Sequence, residues 1–140
     1  MLSKVSIRSL PVLEAPPSAP ILDGVRIRMA AGEAAPVFNG GPWRFVAYLE
    51  FLPGTGAWRG NHYHEKKREY FYIISGSVRG VFEDVDSGER AEAVLSAGDV
   101  VVIEPRCAHA FTALAYSQAI ECSPLEFDGS DAYPRVVARG

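Results

Sequence analysis

The chain reads as an all-β domain, a sandwich or barrel with little helix. Three observations predict it. Short runs rich in β-branched and aromatic residues recur along the chain, and turn signals separate them at roughly 8 to 12 residue intervals. No window holds a sustained period of 3.6 residues, so helix should be scarce. Thirteen glycines and ten prolines favour many turns over long helices. A chain of 140 residues, 48% of them hydrophobic, suits one domain around one core.

Residues 1–22 carry Pro11, Pro16, Pro17 and Pro20. They read as an extended N-terminal arm, with an edge strand through "KVSIRSL" as the alternative. From residue 23 to 140 a single domain is expected. Its strands are "VRIRMA", "RFVAYLEFL", "REYFYIIS", "SVRGVFEDV", "RAEAVLS", "DVVVIE", "HAFTALA" and "QAIECSPL", with "NGGP", "PGTG", Ser75-Gly76, "DSGE" and "SAGD" between them. A short helix is expected near residues 130–133.

The net charge of −3 argues against a nucleic-acid partner, which normally meets a basic face. No apolar run approaches the ~20 residues of a membrane span, and no apolar block of signal-peptide length opens the chain. A cytoplasmic protein is expected. Cys107 and Cys122 fit reduced, buried thiols better than a disulfide framework.

All three histidines fall into one pattern, "GAWRGNHYHEKKREYFYIISG" followed later by His109. On a strand, His62 and His64 point the same way and Tyr63 the other. A tight turn through "EKK" would return the chain antiparallel and set Glu69 opposite the pair. If the sheet closes, His109 reaches the same interior point. Three imidazoles and one carboxylate form a divalent metal site that leaves open positions for water or substrate.

The spacing Gly56, His62, His64, Glu69, Gly76 resembles the first cupin motif without a mismatch. The second motif keeps Gly98 and His109. Glu104 stands where its Pro is expected, Arg106 where its Gly is expected and Ala113 where its Asn is expected. The resemblance runs from about Gly54 to Ala113. It implies a cupin-type double-stranded jelly-roll barrel, commonly a homodimer, with the metal inside. Zinc is the first expectation, with iron, manganese or nickel as alternatives.

The phrase "RGNHYH" is similar to cupin domains that act on nucleotide-activated sugars in polysaccharide biosynthesis. These include the C-terminal cupin of the capsular-polysaccharide reductase/epimerase and the metal-free sugar 3,4-ketoisomerases. The ketoisomerases tend to carry glutamine where a ligating acid would stand, so Glu69 favours the metal-binding branch. The resemblance implies an epimerase or isomerase of a 4-keto nucleotide sugar. The alternatives are an Fe(II)-dependent cupin dioxygenase on a small organic substrate and a non-catalytic small-molecule-binding cupin.

Under the sugar reading, coordinated histidines cannot serve as the base, so Tyr48 and Glu50, on one face of "RFVAYLEFL", are the catalytic candidates. Without a metal, His62 and His64 would be free to move the proton. Arg59, Lys67 and Arg106 are candidates for binding substrate. Lys67 belongs to the run Lys66–Lys67–Arg68, which reads either as a solvated turn or as a diphosphate dock. Phe71 and Phe111 share faces with Glu69 and His109 and would wall the pocket, as would Ile73. Tyr70 and Tyr72 should point away into core or dimer-interface packing. Cys107 reads as a small buried thiol, with thiolate ligation as the alternative.

Overall fold

The computed structural model describes residues 2–16, 18 and 20–140. Met1, Pro17 and Ala19, the last two in the proline-rich arm, lie outside the described residues. The strands are β1 Val5–Ser9, β2 Val12–Glu14, β3 Arg26–Met29, β4 Gly32–Ala34, β5 Phe45–Phe51, β6 Arg59–Tyr63, β7 Glu69–Ser75, β8 Ser77–Asp84, β9 Arg90–Ser96, β10 Asp99–Ile103, β11 Cys107–Ala113, β12 Ser117–Ser123 and β13 Tyr133–Pro134. They form two five-stranded sheets, β1-β10-β7-β12-β5 and β13-β6-β11-β8-β9, with β2-β3-β4 as a small third sheet. The architecture is the all-β jelly roll expected from the sequence. No helix occurs among the described residues, so none is long and apolar enough to cross a membrane. The short helix expected near residues 130–133 is absent. A turn there leads into β13, and Asp131 spends its carboxylate on a neighbouring turn instead of a helix.

The facing surfaces of the two large sheets make the core. Side chains alternate, so β7 contributes Phe71 and Ile73, β10 Val101 and Ile103, β8 Val78 and Phe82, and β11 Phe111. Phe111 sits at the centre. Its ring meets Phe71 at 5.4 Å, Phe82 at 5.9 Å and Phe51 at 6.3 Å, all edge to face, an arrangement the ring quadrupoles favour. Tyr72 packs with Leu10 and Val100 in a separate outer cluster, and Tyr70 meets Trp43 and Phe38. Both cysteines are free and buried.

Residues 5–9 pair antiparallel with β10, Val5 opposite Ile103, and Val12–Glu14 run parallel to β3. Leu2 and Leu10 are buried at either end of β1.

Two backbone details position the site. In β6, Gly60 (φ 107°) and Asn61 (φ 56°) lie in the left-handed region, beside a register shift against β11 between His109 and Ala110. Such a bulge re-aims the following side chain. A Cβ on Gly60 would sit 2.6 Å from the His109 carbonyl oxygen, so only glycine lets the strands approach this closely. Asn61, a residue type that tolerates this conformation, accepts from the Val137 and Ala138 amides and donates to the Ala138 carbonyl. The C-terminal tail is thereby fastened over the outer face of β6.

Gly76, at φ 94°, turns β7 into β8. A Cβ there would lie 2.1 Å from Ser117 Oγ and 2.3 Å from the Tyr116 carbonyl oxygen. Gly76→Ala combines left-handed strain with overpacking. It is expected to cost about 2–4 kcal/mol and to lower Tm by roughly 5–15 °C. A thermal melt unchanged from wild type would refute the packing described for this turn.

Candidate metal centre

His62, on β6, is the register partner of His109 on β11. The ladder therefore sets these two rings side by side, with centroids 5.0 Å apart. His64 lies just past β6, its ring 4.9 Å from His62. Glu69 opens β7 in the opposite sheet. The sequence reading of a tight hairpin is corrected here: β6 and β7 do not pair. The segment between them crosses from one sheet to the other, and Glu69 meets the histidines across the interior. One ligand atom from each of His62, His64, Glu69 and His109 lies within 4.8 Å of all the others, so the group could hold a metal ion.

Asp131 holds the crossing segment. Its carboxylate accepts the backbone amides of Glu65 (2.9 Å), Lys66 (3.2 Å) and Lys67 (3.1 Å). Its carbonyl accepts from His64 Nδ1. The His109 Nδ1 likewise donates to the Cys107 carbonyl at 3.0 Å. A carbonyl only accepts, so in both rings Nδ1 carries the hydrogen and Nε2 of the neutral ring presents a lone pair. Those lone pairs face Glu69, with His64 Nε2 2.7 Å from Oε1 and His109 Nε2 3.0 Å from Oε2. His64 Nε2 and Glu69 Oε2 are buried without a hydrogen-bond partner. Lone pairs aimed at a carboxylate need a cation between them, either protons on the rings or a metal. Backbone carbonyls orienting ligating imidazoles through Nδ1 are the usual outer support of a metal centre. The donor set therefore fits a divalent ion.

The electrostatics agree. Burial pushes the Glu69 carboxyl upward, but His109 and His64 outweigh it and hold the group well below the usual range. Burial pulls His109 down, and Glu69 more than restores it, so His109 lies above its ordinary value. Desolvation is the main cause that takes His62 down to about 4, although it is only partly buried; repulsion from the other two rings adds to it, and its share of Glu69 is weaker. Burial pushes the Cys107 thiol up to about 12, and Cys107 is not among the four residues whose ligand atoms converge.

The cluster lies in a cavity of about 300 Å³, walled by Phe71, Phe111, Leu49 and Phe45. Phe71 and Phe111 stand where the sequence placed them, and Ile73 is buried in the core beside them. Arg59 lines both this cavity and an adjoining groove with Trp58 and Thr55, its guanidinium over the Phe51 ring. Lys67 is not on a solvated turn. It is buried in the cavity wall, its ammonium 2.8 Å from Glu121 Oε2, 3.6 Å from Glu69 Oε1 and 4.6 Å from the Phe45 ring centre.

Three of the sequence candidates lie elsewhere. Tyr48 and Glu50 alternate out of phase with the inward residues of β5. Both are exposed: Tyr48 meets Gln118, and Glu50 meets Tyr116 and lines the adjoining groove, outside the cavity of the cluster. Neither faces the cluster. Arg106 sits at φ 61°, the left-handed corner where glycine is expected. Its amide donates to the His64 carbonyl at 2.7 Å, but its guanidinium is spent outside the cavity on Asp86 and Glu65.

Two residues of the site escaped the sequence reading. Glu121 projects inward from β12 on the same face as Ala119, and that alternation was its only signal. Asp131 has no sequence signal, because the turn it caps lies more than sixty positions away.

No curated protein sequence matches this chain. Among solved structures, the chain is similar to QdtA, a sugar 3,4-ketoisomerase from Thermoanaerobacterium thermosaccharolyticum in complex with TDP. The two are 17% identical over 94% of this chain and 88% of that one, with a TM-score of 0.70. WlaRB, a TDP-quinovose 3,4-ketoisomerase from Campylobacter jejuni, is 16% identical over 96% of this chain and 95% of that one, with a TM-score of 0.73. The capsular polysaccharide assembling protein CapF from Staphylococcus aureus is 28% identical over 66% of this chain, with a TM-score of 0.59. The match spans 28% of the CapF chain. At these identities the ketoisomerases show a shared fold. A family model, the cupin domain, matches residues 47–119, which contain all four residues of the cluster. On that match, which spans more than half its length, the chain belongs to the cupin family.

Proposed function

We propose that this cupin binds a divalent metal through His62, His64, Glu69 and His109 and acts as an isomerase or epimerase on a 4-keto nucleotide sugar. The observation that carries the reading is the pair of imidazole lone pairs aimed at a buried carboxylate, inside a cavity with Arg59 and Lys67 in its wall. The similar structures QdtA and WlaRB are named as sugar 3,4-ketoisomerases, which supports the substrate class.

A cavity of about 300 Å³ is at the small end of ligand sites and suits a hexose ring more than a whole nucleotide sugar. The rest of the substrate then follows the adjoining groove, with Arg59 at the junction as the diphosphate contact and Trp58 along the groove as an apolar wall. The aromatic lining keeps water from the ketone and strengthens charge interactions there. When bound, the metal would supply Lewis-acid stabilisation of the oxyanion that forms as a proton leaves the neighbouring carbon. His64 and His109 hold their Nε2 lone pairs toward Glu69 through hydrogen bonds to backbone carbonyls, so their geometry is set before substrate arrives. The same donor set serves an Fe(II) dioxygenase, and metal identity separates the two: tightly held zinc has no redox step.

Purified wild-type protein is expected to carry bound metal by elemental analysis, and His62→Ala/His64→Ala to lose it while keeping the strand-rich circular dichroism spectrum. Equal metal content in both defeats the ligand assignment. Arg59→Ala is expected to weaken binding of a thymidine diphosphate 4-keto sugar roughly tenfold or more, with metal content unchanged. A dissociation constant within twofold of wild type by titration calorimetry removes Arg59 from the diphosphate site.

Metal affinity should rise with pH. His109 lies above its ordinary value in the metal-free protein, so below that value the metal must displace its proton. Affinity is then expected to fall roughly tenfold per pH unit on acidification. Competition with a fluorescent chelator measures this, and a pH-independent constant between pH 5 and 7 contradicts it.

A further inference from the structure

We propose that Glu121 is the general base that removes the proton beside the ketone, an inference that rests on the keto-sugar reading above. The three histidines are committed. His64 and His109 give Nδ1–H to backbone carbonyls and aim Nε2 at Glu69, and His62 completes the ligand group. Tyr48 and Glu50 are exposed and line no part of the cavity that holds the cluster, Glu50 lying in the adjoining groove. Three carboxylates line the cavity: Glu69, Asp128 and Glu121. Glu69 belongs to the metal group. Asp128 is exposed and accepts from the backbone and hydroxyl of Ser130. That leaves Glu121.

Its position suits the task. Glu121 is buried at 9% exposure on β12, in register with Ala47 of β5 and Phe71 of β7. Its hydrogen bond to Lys67 uses Oε2, and Oε1 has no hydrogen-bond partner among the described residues. The Lys67 ammonium reaches both Glu121 and Glu69, and the Phe45 ring confines it from the side. One cation thus holds the second carboxylate beside the metal group and opposes the burial that disfavours its charged, proton-accepting form. Glu121 and the metal group line one cavity, so a ketone held there shares the enclosure with this carboxylate.

In the step itself, the carbon–hydrogen bond breaks and its proton goes to Glu121, which becomes a carboxylic acid. The bonding pair forms the carbon–carbon double bond, and the carbonyl π pair moves to the oxygen. Reversal returns the proton to carbon, so no oxidant or reductant is needed.

The test follows deuterium uptake from heavy water next to the ketone of TDP-4-keto-6-deoxyglucose, by proton NMR. The metal-loaded full chain is used, with sugar-nucleotide binding measured by calorimetry on the same samples. Wild type is expected to exchange. Glu121→Gln is expected to lose about 100- to 10,000-fold in exchange rate, with binding and metal content retained. Glu121→Gln leaves Lys67 unpaired and can unfold the barrel. Lys67→Met/Glu121→Gln removes both charges together and is expected to stay folded and exchange-dead. Exchange within tenfold of wild type in either folded variant overturns the role of Glu121 and leaves the isomerase reading standing. A wild-type chain that shows no exchange overturns the isomerase reading, and the role of Glu121 with it.

Discussion

A buried carboxylate facing two imidazole lone pairs is the constraint around which this domain is arranged. Glu69 is 3% exposed, and of the three histidines around it His109 is as hidden and His64 is also buried. Such a group is unfavourable in a dry interior unless positive charge joins it. The fold meets that demand from three directions. The β6–β11 ladder sets His62 beside His109, the crossing segment capped by Asp131 carries His64, and β7 brings Glu69 over from the other sheet. None of these elements could shift by one residue without turning its side chain to the wrong face.

The same constraint explains why the ion pair next to the cluster is unusual. Lys67 and Glu121 are both 9% exposed, a level at which lysine and glutamate are rarely found. A hydrophobic pair would fill the space with no desolvation cost. Burial, and the negative charge of Glu69, push Glu121 above its ordinary value, while Lys67 acts against them. An electrostatic arrangement this costly is characteristic of a working site more than of a packing device.

The sequence revealed the strands and the His/Glu cluster for physical reasons. Alternation exposes a strand's two faces, and His-x-His places two rings on one of them, so His62, His64 and Glu69 were legible from spacing. Phe71 and Phe111 followed from the same parity. Parity alone does not say which face is inward, and for β5 it misled: Phe45, Ala47 and Leu49 point in, and Tyr48 and Glu50 point out. The crossing after His64 looked like a hairpin because chain connectivity does not reveal whether a turn stays in one sheet. Arg106 stands at a corner whose backbone belongs to the site and whose side chain does not, a distinction no spacing encodes. Glu121 and Asp131 meet their partners only through long-range pairing, so their roles appear in three dimensions alone.

The left-handed corner at Asn61 ties two distant parts of the chain. The side chain that grips Val137 and Ala138 belongs to the residue immediately before His62, and the Arg135 amide donates to its carbonyl. Residues 135–138 are therefore a clasp on the strand that aims His62. Losing the grip of Asn61 on residues 137 and 138 would free the strand that carries His62, although neither partner touches the cavity.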